Sequence, residues 1–252
     1  MNRLQIFESL SLNQHDSAIV EAGRYSASTD GWPHALFAPL HYEPNYSYPL
    51  IVWLHGEGDD ERQLRRIMPL VSMRNYVAVG PRGAQAATTG KGFTWEQSSD
   101  SVQRGEDAVS AAMDAASLRY HIAEQRIFIA GVGVGGTMAL RLALAFPGRF
   151  AGVISINGSV PSGGAPLGRL LSVRKLPLLL LCGQQSKQYP ETQICDDLRL
   201  LHSAGMSVNL RLYPCGDEVD PNMLADLDRW IMHQITSPAS DRNPSGTHVH
   251  EN

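Results

Sequence analysis

The chain has 252 residues, of which 43% are hydrophobic, and its formal net charge at pH 7 is −4. This apolar content can bury one large core, so a single domain is the expected organisation. The acidic balance provides no basic field that would attract a phosphate backbone, which argues against a nucleic-acid partner. No apolar run reaches the length of a membrane span and the first residues lack a secretion signal, so we expect a cytoplasmic protein without a membrane span.

The cysteines are Cys182, Cys195 and Cys215, an odd number without the paired spacing of zinc ligands. The sequence therefore predicts free thiols rather than a disulfide framework or a structural metal. The histidines form no metal-ligand set with a second ligand at helical or loop spacing, and no cofactor is predicted.

Short apolar runs alternate with longer stretches of helical period, which predicts an α/β fold with a mainly parallel central sheet and helices on both faces. Most of the predicted strands are rich in Val, Ile and Leu at successive positions, as strands buried on both faces are. They comprise residues 34–39, 50–54, 76–79, 127–130, 152–156, 178–182 and 208–213.

Five helices are predicted between and after these strands. We expect Asp60 to cap the first helix, and Asp220 to cap the last helix with Pro221 in its first turn. The first expected helix carries Leu64 to Val71, the second covers residues 106–120, and the third runs from Val134 to before Pro147. The fourth helix ends at Gly205, and the fifth follows Asp220.

The predicted domain covers residues 31–236. Residues 1–30 form an N-terminal segment that is hard to place and that we expect to pair or pack at the sheet edge. Residues 237–252 are polar and contain Pro and Gly, which predicts a disordered tail.

Four groups of segments carry a resemblance to a known family. In chain order they read PLIVWLHGEGDDERQL, then VAVGPRG with GFTWEQ downstream, then RIFIAGVGVGGTMALRLALAFPGRFAGVISINGSVP, and finally LPLLLLCGQQSKQYP with AGMSVNLRLYPCGDEVDPNMLADLDRWI. Together, over roughly Pro49 to Ile235, they resemble the carboxylesterase/phospholipase branch of the α/β-hydrolases. The resemblance implies the α/β-hydrolase fold, with an oxyanion loop, a nucleophile elbow, an acid loop and a histidine loop in that order.

The resemblance also exposes substitutions at each position of the catalytic triad. In the family's GxSxG elbow the serine stands at the tip of a tight strand-to-helix turn, where this sequence has Gly133. The position of the family's acid is Ser186, and the position of its histidine is Asp217. An acyl-serine mechanism needs a nucleophile, a base and an acid that orients the base, so we expect negligible esterase activity.

The oxyanion scaffold is expected to be partly retained. By resemblance, the backbone amides of Glu57 and Val134 stand where the family supplies its oxyanion donors. His55, Gly56 and Cys215 are predicted to line the former acyl pocket. The carboxylate of Glu57 would make this pocket less hospitable to an oxyanion.

The simplest interpretation of Gly133 is structural, because glycine adopts the strained backbone angles of an elbow without penalty. For Ser186 and Asp217 we favour the interpretation that both are solvated loop residues. A hydrogen bond from the Ser186 hydroxyl to the Asp217 carboxylate is the alternative if the two loops meet.

Three further hypotheses remain open at this point. The run Gly131-x-Gly133-x-x-Gly136 also matches a dinucleotide fingerprint, although the next strand ends without an acidic residue for a ribose. Catalysis could instead be rerouted to Cys215 or Cys182 with His55 as base. Finally, an acidic cluster would bind a cation if its loops converge; it consists of Glu57, Asp59, Asp60, Asp217, Glu218 and Asp220.

The sequence thus predicts a catalytically degenerate α/β-hydrolase homologue. Its expected role is to bind a small ligand in the former acyl pocket, or a protein partner. A weak or rerouted ester hydrolase is the second prediction, and a dinucleotide-binding protein is a distant third.

Overall fold

A computed structural model describes residues 31–88, 90–163 and 170–237. The predicted placement of residues 1–30, and all of the predicted tail beyond Ser237, lie outside the described residues. The strands are β1 His34–Phe37, β2 Tyr48–Leu54, β3 Val77–Pro81, β4 Gln85–Ala86, β5 Phe93–Thr94, β6 Ile122–Val132, β7 Gly152–Ile156, β8 Leu178–Gly183 and β9 Val208–Tyr213. The helices are α1 Gln63–Val71, α2 Ser99–Arg119, α3 Val134–Ala145, α4 Leu170–Val173, α5 Glu191–Ser203 and α6 Pro221–Thr236.

Seven of the strands form one sheet in the order β1-β3-β2-β6-β7-β8-β9. Strand β1 runs antiparallel to β3, whereas every other pairing in this sheet is parallel. Every residue of β2 and β7 is buried, as the runs of Val, Ile and Leu predicted. The predicted α/β-hydrolase fold, with a mainly parallel sheet, is confirmed.

Helices cover both faces of the sheet, and each face has its own hydrophobic cluster. One cluster includes Val109 of α2, Met138 of α3 and Ile194 of α5. The other includes Leu64 of α1 and Leu224 of α6. Because the parallel strands all end at the same edge, the loops after β2, β6, β7, β8 and β9 come together there.

Two predicted helix starts are wrong. Helix α1 is not capped by Asp60, because its N-cap residue is Arg62, and Asp60 accepts a hydrogen bond from the Arg62 N–H instead. Helix α2 begins at Ser99, not near residue 106, and is capped by the hydroxyl of Ser98. Its first two turns are polar and show no apolar stripe, so the periodicity alone did not reveal them.

The other helix ends agree with the sequence. Asp220 caps α6, with Pro221 in the first turn. Helix α5 ends at Ser203, and Gly205 follows with a φ of 73°, in the left-handed region that favours glycine. The hairpin of β4 and β5 and the short helix α4 were not predicted. Strands β4 and β5 contain two residues each and helix α4 contains four, which is too short for a periodic pattern.

None of the helices in the described ranges is long and apolar enough to cross a lipid bilayer.

Candidate functional site

The centre of the candidate site is the sharp turn between β6 and α3. Gly133 occupies its tip with φ 53° and ψ −119°, and it directly precedes the first residue of α3. Its N–H donates to the carbonyl of Ile156 at 2.8 Å, and its carbonyl accepts from the N–H of Thr137 at 3.0 Å. This conformation is unfavourable for any residue with a Cβ, which is in line with the structural interpretation of the glycine.

Glycines around the tip allow the backbone to turn in so little space. A Cβ on Gly131 would lie 2.5 Å from the carbonyl of Gly135, and one on Gly135 would lie 2.3 Å from the carbonyl oxygen of His55. A Cβ on Gly158 would lie 2.5 Å from the carbonyl oxygen of Gly133. The glycine-rich run is therefore explained by close packing of β6, α3 and the neighbouring strand ends.

Two loops meet beside this elbow. The turn of residues 184–189, called here the β8 loop, follows β8, and the segment of residues 214–219, called the β9 loop, follows β9. The Ser186 hydroxyl on the β8 loop donates to Oδ1 of Asp217 on the β9 loop at 2.5 Å. Ser186 is buried, so the interpretation that both are solvated loop residues is wrong and the alternative contact is present.

Asp217 also binds the backbone of the β8 loop. Its Oδ1 accepts from the N–H groups of Lys187 and Gln188, each at 3.1 Å. These donors, the Ser186 hydroxyl first among them, hold the pKa of Asp217 below its usual range, because each stabilises the charged carboxylate. Asp217 is therefore ionised at neutral pH and fixed against the β8 loop.

The side chain of Gln188 lies over the tip of the elbow. A Cβ placed on Gly133 would be 3.2 Å from Oε1 of Gln188, which is closer than ordinary van der Waals contact. In the family's elbow the nucleophile side chain leaves the backbone at this Cβ. The space into which a nucleophile would project is thus next to a glutamine amide. Gln188 was not predicted as a site residue, because no local sequence pattern shows which exposed amide will lie beside a distant glycine.

Asn157 was also not recognised as a site residue. It follows β7 with a φ of 52° and is buried. Its Oδ1 accepts from the N–H of Gly183 at 2.8 Å, and its Nδ2 donates to the carbonyl of Gly216 at 3.3 Å. Asn157 therefore ties the end of β7 to the start of both loops. A side chain engaged in this way does not present itself to a ribose, so the dinucleotide hypothesis gains no support.

His55 has a structural position beneath the site. The backbone N–H of Gly83 donates to its Nε2 at 2.9 Å, and its Nδ1 contacts the carbonyl of Gly56 at 2.8 Å. Because an N–H can only donate, Nε2 is the acceptor and the ring proton is on Nδ1. Burial lowers the pKa of His55. Both ring nitrogens have hydrogen-bond partners, which does not favour the hypothesis that His55 acts as a base.

The two residues expected to supply oxyanion donors lie at loop and helix starts. Val134 is the first residue of α3, so its N–H has no partner within the helix. Glu57 is exposed after β2, and its carboxylate accepts a hydrogen bond from the hydroxyl of Thr94 on β5. This contact fixes the Glu57 side chain to the small hairpin of β4 and β5.

The acidic cluster does not come together as the cation hypothesis required. Asp59 is paired with Arg66 and accepts from the side chain of Gln63 at 2.9 Å. Asp220 is used as the cap of α6, and Asp217 is held by the β8 loop. Within the described ranges, no group of three or more His, Cys, Asp or Glu side chains is arranged to hold a metal ion.

The two cysteines proposed as alternative nucleophiles are buried. Burial, with the charge of Asp197 nearby, raises the pKa of Cys182 to about 12. Burial also raises the pKa of Cys215, together with the charges of Glu218 and Asp220. Since the thiolate is the reactive form, neither environment favours a cysteine nucleophile.

Taken together, a parallel sheet flanked by helices and a glycine-lined strand-to-helix elbow define an α/β-hydrolase fold. The two loops from the last strands converge beside that elbow, as this class of fold requires. The sequence profile of the phospholipase/carboxylesterase family matches residues 44–235, and the chain belongs to that family.

Individual proteins agree with this assignment. NocK of Nocardia uniformis subsp. tsuyamanensis, provisionally named as an esterase, is 27% identical in an alignment of 148 residues, and the match covers 56% of this chain and 41% of NocK. The chain thus spans less than half the length of this curated relative.

Solved structures share the fold at low sequence identity. A carboxylesterase from Bacillus cereus is 16% identical with a TM-score of 0.66, and the match covers 82% of this chain and 96% of that one. A carboxylesterase from Mesorhizobium loti is 21% identical with a TM-score of 0.64, over 82% of this chain and 98% of that one. SOBER1 from Arabidopsis thaliana is 20% identical with a TM-score of 0.63, over 75% of this chain and 100% of that one.

Proposed function

We propose that this protein is a non-catalytic member of its family, a pseudoenzyme that uses the hydrolase scaffold to bind a ligand or a protein. The observation that supports this most directly is the elbow itself. Gly133 has the backbone conformation in which the family presents its nucleophile, but it carries no side chain that could attack an ester.

The rest of the triad geometry supports the same proposal. Where the family pairs a carboxylate with an imidazole, Ser186 and Asp217 form a hydrogen bond of their own. A serine hydroxyl lacks the negative charge with which a carboxylate stabilises an imidazolium, and an ionised carboxylate hydrogen-bonded to three donors has no proton to give to a leaving group. Loss of the whole triad from a serine hydrolase lowers turnover by about 10⁶-fold.

A weak or rerouted hydrolase is the competing function. It requires a nucleophile and a base elsewhere, and the buried thiols and the doubly hydrogen-bonded His55 do not favour it. Three statements stay predictions from the sequence. They are the binding of a small ligand in the former acyl pocket, the domain limits of residues 31–236, and the cytoplasmic location.

The test combines a covalent probe with a turnover assay. A fluorophosphonate probe should leave the purified protein unlabelled, and a panel of chromogenic esters should be hydrolysed at the rate of buffer alone. A catalytically active carboxylesterase of the same family, assayed in parallel, is the positive control for the probe and for the ester panel. Labelling of any serine of the unmodified protein, or ester turnover above background, would contradict the proposal and favour the rerouted hydrolase.

A further inference from the structure

Gln188 has its side-chain oxygen 3.2 Å from the position that a Cβ of Gly133 would occupy, and its backbone N–H donates to the carboxylate of Asp217. We propose that Asp217 acts as a positioning residue that holds Gln188 over Gly133, so that entry of any ligand at the elbow requires displacement of the Gln188 side chain. This inference rests on the proposed function, because it describes how the same site is regulated.

The carboxylate of Asp217 binds three successive residues of the β8 loop. One carboxylate oxygen accepts from the Ser186 hydroxyl and from the N–H groups of Lys187 and Gln188. These donors span three successive residues of the β8 loop, so the bonds fix the direction in which the loop backbone runs. The β8 loop is therefore bound to the β9 loop at the residue that carries the amide side chain.

The bonds between Asp217 and the β8 loop depend on a carboxylate at residue 217. An ionised carboxylate only accepts hydrogen bonds and can accept several at one oxygen, whereas a neutral imidazole has a single acceptor nitrogen. The histidine that the family resemblance implies at this position could not accept from all three donors. The substitution that removes the base thus also creates the contact that holds Gln188.

The Gln188 side chain lies close to the tip of the elbow. Oε1 of Gln188 is 3.2 Å from the position that a Cβ of Gly133 would occupy. Gln188 as a residue is exposed, so its side chain covers the elbow from the solvent side and is not packed into the core. An exposed side chain can rotate away without opening a cavity in the core. In this proposal the Gln188 side chain is a removable cover, and Asp217 acts on it through the backbone of the β8 loop, by binding the Gln188 N–H.

The experiment places a reactive thiol at the tip. In a Cys195→Ser background, which removes the exposed native thiol, Gly133→Cys is alkylated with iodoacetamide and the modified residue is assigned by peptide mass spectrometry. We expect the alkylation rate to rise by at least about tenfold when Gln188→Ala is added, because the side chain beside the tip is removed. Asp217→Ala should raise the rate by a similar factor, because the β8 loop loses its bonds to a charged acceptor and such bonds stabilise by a factor of ten or more.

Two matched controls isolate the cause. Gln185→Ala truncates another exposed glutamine of the same loop, and Glu218→Ala removes a negative charge from the residue next to Asp217. Both should leave the alkylation rate within about twofold, since surface changes without such contacts have small effects. The proposal would be overturned if Gln188→Ala left the alkylation rate unchanged. It would also be overturned if Glu218→Ala raised the alkylation rate as much as Asp217→Ala does.

A second measurement needs no change at the elbow, should Gly133→Cys fail to fold. Hydrogen–deuterium exchange of the amides of Lys187 and Gln188 should be at least about tenfold faster in Asp217→Ala than in the unmodified protein, because both amides lose their acceptor. Unchanged exchange would contradict the role given to Asp217. Neither measurement involves ester hydrolysis, so both remain informative if the protein proves to be catalytic.

Discussion

The hydroxyl of Ser186 donates to the carboxylate of Asp217 across the two loops that converge on the elbow. The family resemblance implies a carboxylate at residue 186 and an imidazole at residue 217. In this chain the carboxylate is on the opposite loop, and its partner is a hydroxyl. The contact between the loops is thus preserved, while the proton transfer that it would serve in a hydrolase is not.

Removal of the Asp217 charge should reduce stability in a pH-dependent way. Asp217→Asn keeps the shape of the side chain but weakens its hydrogen bonds with Ser186 and the β8 loop, so we expect a loss of about 1 kcal/mol at pH 7. The folded-state pKa of Asp217 is lowered, so its contribution is present above the unfolded pKa and is lost as pH falls through the folded pKa. The difference in urea midpoint between Asp217→Asn and the unmodified protein should therefore be largest at pH 7 and smaller at pH 3.

Glu218→Gln is the control for this prediction. It removes the same charge one residue later, from an exposed side chain. A loss of stability equal to that of Asp217→Asn would show that net charge, and not the bonds to the β8 loop, is responsible.

Substitution of the elbow glycine alone should destabilise the protein without creating activity. The φ of 53° at Gly133 is strained for serine, and such strain costs about 1 to 3 kcal/mol. Gly133→Ser should lower the urea midpoint accordingly, while ester turnover stays at background for want of a base. Gly148→Ser is the matched control, because Gly148 lies in open space and outside the positive-φ region, and its midpoint should change little. Equal midpoints for the two variants would mean that Gly133 does not occupy a strained elbow.

The sequence predicted the fold well because its buried strands are continuous apolar runs, as in Leu178–Gly183, and its last helix has a clear cap at Asp220. It also placed the elbow at Gly133. The contact of Ser186 with Asp217 was foreseen only as an alternative, because the meeting of two loops depends on the whole sheet. The cover by Gln188 was missed, since nothing in a local pattern shows which exposed amide will lie over a distant glycine.

His55 should make the protein less stable in mild acid. Its folded-state pKa is lowered by burial, so below the ordinary histidine value of about 6.5 the unfolded chain binds a proton that the folded protein does not. Stability therefore falls as pH drops from 7 towards 5. His55→Asn should be less stable at pH 7, because the bonds to Gly56 and Gly83 are changed, but its stability should fall less steeply between these pH values.

The test for His55 is the urea midpoint measured at pH 7, 6 and 5. His202→Asn changes an exposed histidine at the end of α5 and should leave the steep decline in place. A decline of the same steepness in His55→Asn would show that another group is responsible.

Restoring the three catalytic groups is the strongest test of the scaffold. In Gly133→Ser with Ser186→Asp and Asp217→His, the nucleophile, acid and base return to an elbow and two loops that already converge, so chromogenic ester hydrolysis and fluorophosphonate labelling of residue 133 should appear. Each of the three double variants should remain inactive or far slower, because the groups act as a unit. Adding Gln188→Ala to the triple variant should change the labelling rate little, because Asp217→His already removes the carboxylate that binds the β8 loop. A folded triple variant that neither labels nor turns over esters would mean that Gly133, Ser186 and Asp217 do not share one site.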